Sequence, residues 1–189
     1  MYELPNLGSG ARRLKKLHLV VIALVKGFTQ HLPSACPVLE DLELDKCCLD
    51  HPETTSLSLK NLILIWSVLH GVLDIFPTFY NLRTLLFNGC DLSDDFQILG
   101  CFLNNAPRLE KLTLQYCKLP EGSRKRNRTE NPKRITIKCQ DTLTLRCPNL
   151  KLTEIMYGED DVHQLFGLLS GIWRNLQKTT IVLTKALSI

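Results

Sequence analysis

The chain has 189 residues, 44% of them hydrophobic, and a formal net charge of +4 at neutral pH. That length and apolar content support one domain with a sizeable core and exclude a disordered tail, and no run approaches the roughly 18 apolar residues of a membrane span. The charge is local: residues 124–134 hold six bases and one acid, net +5, so subtracting them from +4 leaves −1 for everything else.

Residues 1–13 read as a polar N-terminal tail, and from Leu14 a phrase begins that recurs five times. Its copies are Leu14 to Leu24, Leu39 to Leu49, Leu59 to Leu69, Leu82 to Leu92 and Leu109 to Leu119, with Leu at the first, fourth, sixth and eleventh places. Of these twenty slots nineteen are Leu and one is Phe87, whereas 37 Leu spread at random over the chain fill only about four. The phrase is the L-x-x-L-x-L-x-x-N/C-x-L signature of a leucine-rich repeat, and the spacings of 25, 20, 23 and 27 residues fall within that class.

The x-L-x-L centre has period two, so an extended strand points both Leu side chains to one side. One strand cannot bury that row alone; stacked copies form a parallel sheet with a continuous core. The expected fold is therefore α/β, a leucine-rich-repeat solenoid with the sheet on its concave side, helices or irregular segments on the convex side, and a C-terminal α/β cap. Ordinary amphipathic helices with a Leu stripe are the competing reading. The basic start Arg12 to Lys16 before the apolar run Leu17 to Val25 imitates a signal peptide, but the same residues fit the repeat in register and no clear small-x-small cleavage site follows.

The ninth place holds Ile22, Cys47, Ser67, Cys90 and Cys117. A small buried group suits a sharp turn off the strand, where backbone polar groups need partners, and a thiol behaves there as a small hydrophobe. Much of the count of eight Cys is thus explained without disulfides; an oxidised extracellular framework is the alternative. Adjacent Cys47 and Cys48 lack a downstream Cys or His pair at zinc-finger spacing. Cys36-Pro37-Val38-Leu39, Ala106-Pro107-Arg108-Leu109 and Cys147-Pro148-Asn149-Leu150 mark returns into a strand, with Phe76-Pro77-Thr78-Phe79 as a looser version, because Pro ends a helix and favours extended geometry before it. Asp94 or Asp95 caps a predicted helix carrying Phe96, Ile98, Leu99, Phe102 and Leu103 on one face.

Repeats are expected over residues 14–120 and a basic insertion over 121–134. Arg124, Lys125, Arg126, Arg128, Lys133 and Arg134 read as a solvated loop or as a nuclear-import signal; without interleaved aromatic residues they lack a base-stacking platform, which disfavours nucleic acid as a partner. Residues 135–189 are expected to hold irregular last repeats and the cap. Ile135, Ile137 and Cys139, then Leu143, Leu145 and Cys147, alternate as strands, and Leu150, Leu152 and Ile155 add an irregular unit. Val162, Leu165, Phe166, Leu169, Ile172, Trp173 and Leu176 follow a helical spacing, and a final strand runs from Thr179 to Thr184.

The segments Cys36 to Leu44, Ala106 to Leu114 and Cys147 to Ile155 resemble plant F-box/leucine-rich-repeat proteins, particularly grass ones with an FBD-like C-terminal region, and the resemblance covers nearly the whole chain. In that family an F-box binds the Skp-type adaptor of a cullin-based ubiquitin ligase while the repeats present a surface to the protein being degraded. The stretch before Leu14 is too short for an F-box. The resemblance therefore implies the substrate-recognition part of such an adaptor, expected as a fragment, splice form or truncated product, with the ligase adaptor a partner only of a longer form that carries an F-box. A stand-alone scaffold or decoy, or an extracellular receptor fragment, are the alternatives; the compartment expected is the cytoplasm, the nucleus or both.

Residues beside the inward Leu pairs face the concave side as rows: Lys16, His18 and Val20, then Asp41, Glu43 and Asp45, Asn61, Ile63 and Ile65, Thr84, Leu86 and Asn88, and Lys111, Thr113 and Gln115. Ile63, Ile65 and Leu86 are expected as an exposed apolar patch beside the acidic row, a fitting protein-binding surface, unless the short repeat from Leu59, with Trp66 where a turn residue belongs, is distorted and shields them. No catalytic residue, cofactor or metal is expected: the five His are dispersed, and the chain holds no nucleophile elbow, phosphate-cradling loop or H-E-x-x-H pair.

Overall fold

A computed structural model describes residues 9–21, 23–24, 28–50, 58–70, 76–93, 97–119, 147–158 and 179–185. After a short 3₁₀ helix at Ser9–Arg13 come β1 (Lys16–Val20), β2 (Ala23–Leu24), α1 (Phe28–Ala35), β3 (Asp41–Asp45), β4 (Cys48–Asp50), β5 (Asn61–Ile65), β6 (Val68–His70), β7 (Thr84–Asn88), α2 (Gln97–Asn104), β8 (Lys111–Gln115), β9 (Leu152–Tyr157) and β10 (Thr180–Lys185). The protein is α/β. Seven strands form one parallel sheet in the order β1-β3-β5-β7-β8-β9-β10, and β2-β4-β6 form a second, three-stranded parallel sheet.

Each copy of the Leu phrase folds in the same way. Its third to seventh places are a strand of the large sheet, and register runs place for place from copy to copy: Lys16 beside Asp41, Asp41 beside Asn61, Asn61 beside Thr84, Thr84 beside Lys111. The fourth and sixth places point into the core, where Leu42, Leu44, Leu62, Leu64, Leu85, Phe87, Leu112 and Leu114 are buried. Each such side chain contributes about 1.5–3 kcal/mol on leaving water. Phe87 occupies a Leu slot because α2 brings Phe102 edge-on to it, with ring centroids 5.5 Å apart.

The eighth place turns the chain off the strand. Val21, Lys46, Trp66, Gly89 and Tyr116 all adopt positive φ, between 47° and 65°, a left-handed conformation costing non-glycine residues roughly 1–2 kcal/mol. Four of their N–H groups find partners in the next copy: Val21 donates to Asp45 O, Lys46 to Ile65 O, Trp66 to Asn88 O and Gly89 to Gln115 O, at 2.7–2.8 Å. The repeat from Leu59 is therefore regular, and Trp66 is its turn residue; the distortion expected from its short spacing is absent from β5.

Three further expectations are corrected. The counterpart of Cys36-Pro37-Val38-Leu39 is Phe79-Tyr80-Asn81-Leu82, not the Phe76-Pro77 segment, because Leu39 N donates to Cys36 O and Leu82 N to Phe79 O in the same turn; Ala11 to Leu14, Ala106 to Leu109 and Cys147 to Leu150 close identically. Pro37, Pro107 and Pro148 take the second turn position, whose φ their rings preset. Cys147 thus opens a turn and is not the end of a strand. The third correction is β9, which pairs with β8 so that Thr153 lies beside Leu112 and Ile155 beside Leu114: Leu150-x-x-Thr153-x-Ile155 is a regular unit with Thr in a Leu slot, and Leu152 faces the other side. The first of the expected strands near residue 135, residues 143–146 of the second, the basic segment and the helix through Val162 to Leu176 lie outside the described residues. So does most of the expected cap.

Candidate functional site

The face of the large sheet opposite the core carries three rows of side chains, one for each odd place of the strands. All eleven residues expected from the sequence to face a partner, Asp41, Glu43, Asp45, Ile63, Ile65, Thr84, Leu86, Asn88, Lys111, Thr113 and Gln115, occupy this face in the rows their places require. The candidate import residues Arg124, Lys125, Arg126, Arg128, Lys133 and Arg134 lie outside the described residues.

The first row is a polar ladder. Lys16 Nζ lies 3.2 Å from Asp41, the Asn61 amide donates to the same carboxylate, and the Thr84 hydroxyl donates to the Asn61 carbonyl oxygen. The hydrogen bond from Asn61, reinforced by Lys16, holds the Asp41 carboxyl below its ordinary range.

The middle row runs His18, Glu43, Ile63, Leu86, Thr113, Glu154 and Val182. His18 Nε2 is 3.6 Å from Glu43. Ile63, Ile65 and Leu86 are half-buried, not fully exposed, because each is flanked by strands on both sides. Thr113 is 5% exposed: β9 lies beside it, and its hydroxyl donates to Glu154 at 3.2 Å. Lys111 reaches the same Glu154 oxygen at 2.9 Å, and chiefly through that contact the Glu154 carboxyl is held below the usual glutamate range.

In the last row Val20 and Ile65 flank Asp45 across the strands. Neither side chain can donate a hydrogen bond, and Asp45 Oδ1 is buried without a partner. Beyond it lie Asn88, Gln115 and Met156.

At the edge where the strands begin, the second places of the phrase form two charge-alternating triads. Glu40 bridges Lys15 at 3.4 Å and Lys60 at 2.9 Å; Glu110 bridges Arg83 at 2.6 Å and Lys151 at 2.9 Å. Exposed pairs of this kind add little stability, but a like charge opposite either Glu is unfavourable, so they favour the observed stacking order.

The sequence reading missed two parts of this surface. Leu152, Glu154, Met156 and Val182 extend the face over β9 and β10; the signal was the L-x-x-T-x-I spacing from Leu150. It also missed the exposed eighth-place ridge, where Val21 is 70%, Trp66 55% and Tyr116 56% exposed. Among the described residues no group of three His, Cys, Asp or Glu side chains is placed to hold a metal ion, and no helix is long and apolar enough to cross a membrane.

No family model matches the sequence, and no solved structure matches it significantly. The chain is 36% identical over 117 residues to the meiotic F-box protein MOF of Oryza sativa subsp. japonica, a match covering 60% of this chain and 25% of that protein. It therefore has a relative among plant F-box proteins, and spans about a quarter of that relative's length.

Proposed function

We propose that this chain is the leucine-rich-repeat, substrate-recognition part of an F-box-type protein, using the odd-place face of its large sheet, concave in such a solenoid, to bind a protein. One observation carries the reading: four successive strands, β3, β5, β7 and β8, set twelve mixed polar and apolar side chains in strict register on one face, while their even places are consumed by the core. A sheet that presents ordered rows of different chemistry is suited to recognition. The similarity to a plant F-box protein supports the link to ubiquitin ligation, with recruitment of the ligase adaptor assigned to an F-box. No disulfide joins Cys36, Cys47, Cys48, Cys90, Cys101, Cys117 or Cys147 among the described residues, in keeping with the cytoplasmic or nuclear compartment proposed for the chain.

The test is co-purification from plant extract with and without a fused F-box. Adaptor and cullin recovered only with the fused form support a ligase subunit whose recognition half is this chain. Failure of both forms to recruit the ligase, with another protein retained, points to a stand-alone scaffold. On the face itself, Ile63→Ser with Leu86→Ser, folding verified by circular dichroism, abolishes capture of the retained protein; undiminished capture removes the face from the proposal.

A further inference from the structure

We propose that the segment recognised by this face carries a Lys or Arg next to an apolar side chain; this rests on the reading of the face as a protein-binding surface. The inference comes from which charges on the face are already compensated. Lys16 is taken by Asp41 at 3.2 Å and Lys111 by Glu154 at 2.9 Å. Among the described residues of β3, that leaves two carboxylates without a permanent cation. Glu43 faces only His18, at 3.6 Å, which is charged only when protonated, and Asp45 lies between Val20 and Ile65 with one oxygen buried and unpartnered. Lys46, next in sequence, is turned off the strand by its positive φ, and no ion pair joins it to Asp45 among the described residues.

Glu43 and Asp45 are two places apart on one strand, so their side chains rise from the same face about 7 Å apart, and one cation can sit between them. Directly across lie Ile63 and Ile65, and beyond Ile63 lies Leu86. A side chain neighbouring that cation therefore comes down on half-buried hydrocarbon. An acidic segment meets two uncompensated like charges at the same spot, and a neutral one leaves both without a counter-charge.

A random-peptide display library selected on the immobilised full chain tests this, with three counter-screens: Glu43→Gln/Asp45→Asn, Ile63→Ser/Leu86→Ser, and Lys118→Gln as a remote control. Circular dichroism and urea unfolding establish that each variant is folded. Enrichment of peptides with Lys or Arg beside an apolar residue is expected, with affinity falling at least about fivefold on the Glu43/Asp45 variant, falling also on the Ile63/Leu86 variant, and holding on the control. Peptides lost on the Ile63/Leu86 variant but indifferent to the Glu43/Asp45 variant, or enriched in acidic residues, overturn the basic partner and leave the face standing. Peptides indifferent to both variants, or no enrichment at all, overturn the face as well.

Discussion

The indole of Trp66 lies across the bare Cα of Gly89: a β-carbon built on Gly89 falls 2.4 Å from two ring carbons. Both residues hold the eighth place of their copies, both are left-handed, and their strands are adjacent. The large ring and the missing side chain are therefore a matched pair. Trp66 can remain at an exposed turn because its neighbour yields the space.

Gly89→Ala is expected to destabilise the protein by about 1–3 kcal/mol, since it adds a left-handed penalty to a steric clash. In a Trp66→Ala background the clash disappears and only the conformational penalty remains. A double-mutant cycle from urea unfolding should thus give a clearly non-additive pair; additive effects would show that the contact carries no energy.

Ser67 is the odd member of a second ladder. Its hydroxyl donates to Leu44 O at 2.9 Å and accepts from Cys47 N at 3.2 Å; at the same place in their own copies, the Cys47, Cys90 and Cys117 thiols donate to Leu19, Leu64 and Phe87 carbonyls at 3.4–3.5 Å. Ser67→Ala leaves a buried N–H without its acceptor and is expected to cost about 1–3 kcal/mol. Ser67→Cys restores the group the ladder uses elsewhere and should cost less than half as much by the same unfolding measurement.

These positions show what was legible in the sequence. The period-two Leu pairs identified the parallel strands and their inward places, because side-chain alternation in a strand is fixed by geometry. Cys47, Ser67, Cys90 and Cys117 at the ninth place were recognisable as small and buried. Left-handed geometry at the eighth place was hidden, since Val21, Lys46, Trp66 and Tyr116 have none of the glycine signature that such a turn advertises; at Val21, Lys46 and Trp66 a backbone hydrogen bond to the next copy goes with it. Thr153 concealed β9 for a similar reason, as a polar residue in an inward slot breaks the pattern that the eye follows. The half-burial of Ile63 and Leu86 came from neighbouring strands, which no single copy encodes.

Acid should weaken this face in a defined window. Asp41 and Glu154 have folded-state pKa values below their ordinary 3.8 and 4.5, so their stabilising contribution is complete above those ordinary values and is lost as pH falls through the folded ones. Unfolding midpoints are expected to be insensitive to these two groups from pH 7 to about 5 and to decline below about 4.5. Asp41→Asn with Glu154→Gln should flatten that decline; an unchanged slope assigns acid sensitivity to other carboxylates.

Thiol reactivity should follow depth. Burial, aided by neighbouring Cys90, pushes the Cys117 thiol up to about 12, and burial alone raises Cys147 to about 11, whereas Cys48 is exposed. In native protein at pH 8, iodoacetamide followed by peptide mapping is expected to modify Cys48 first among the described cysteines, with Cys117 and Cys147 modified only after denaturation. Rapid native labelling of either buried thiol would reveal local opening of its repeat.

The clearest stabilising substitution lies in β9. Thr153 is 0% exposed in a slot filled by Leu112 on one side and Ile181 on the other, and its hydroxyl has no hydrogen-bond partner. Valine has nearly the same shape and no polar atom, so Thr153→Val removes a desolvated group without opening a cavity. A gain of about 1 kcal/mol is expected, at the lower end of the cost of an unsatisfied buried group. Thr153→Ser should move the other way, because it keeps the hydroxyl and loses the methyl. Urea unfolding of both variants gives the order Val above Thr above Ser if the hydroxyl is unpaired; Val below Thr would mean that it has found a partner, such as a buried water.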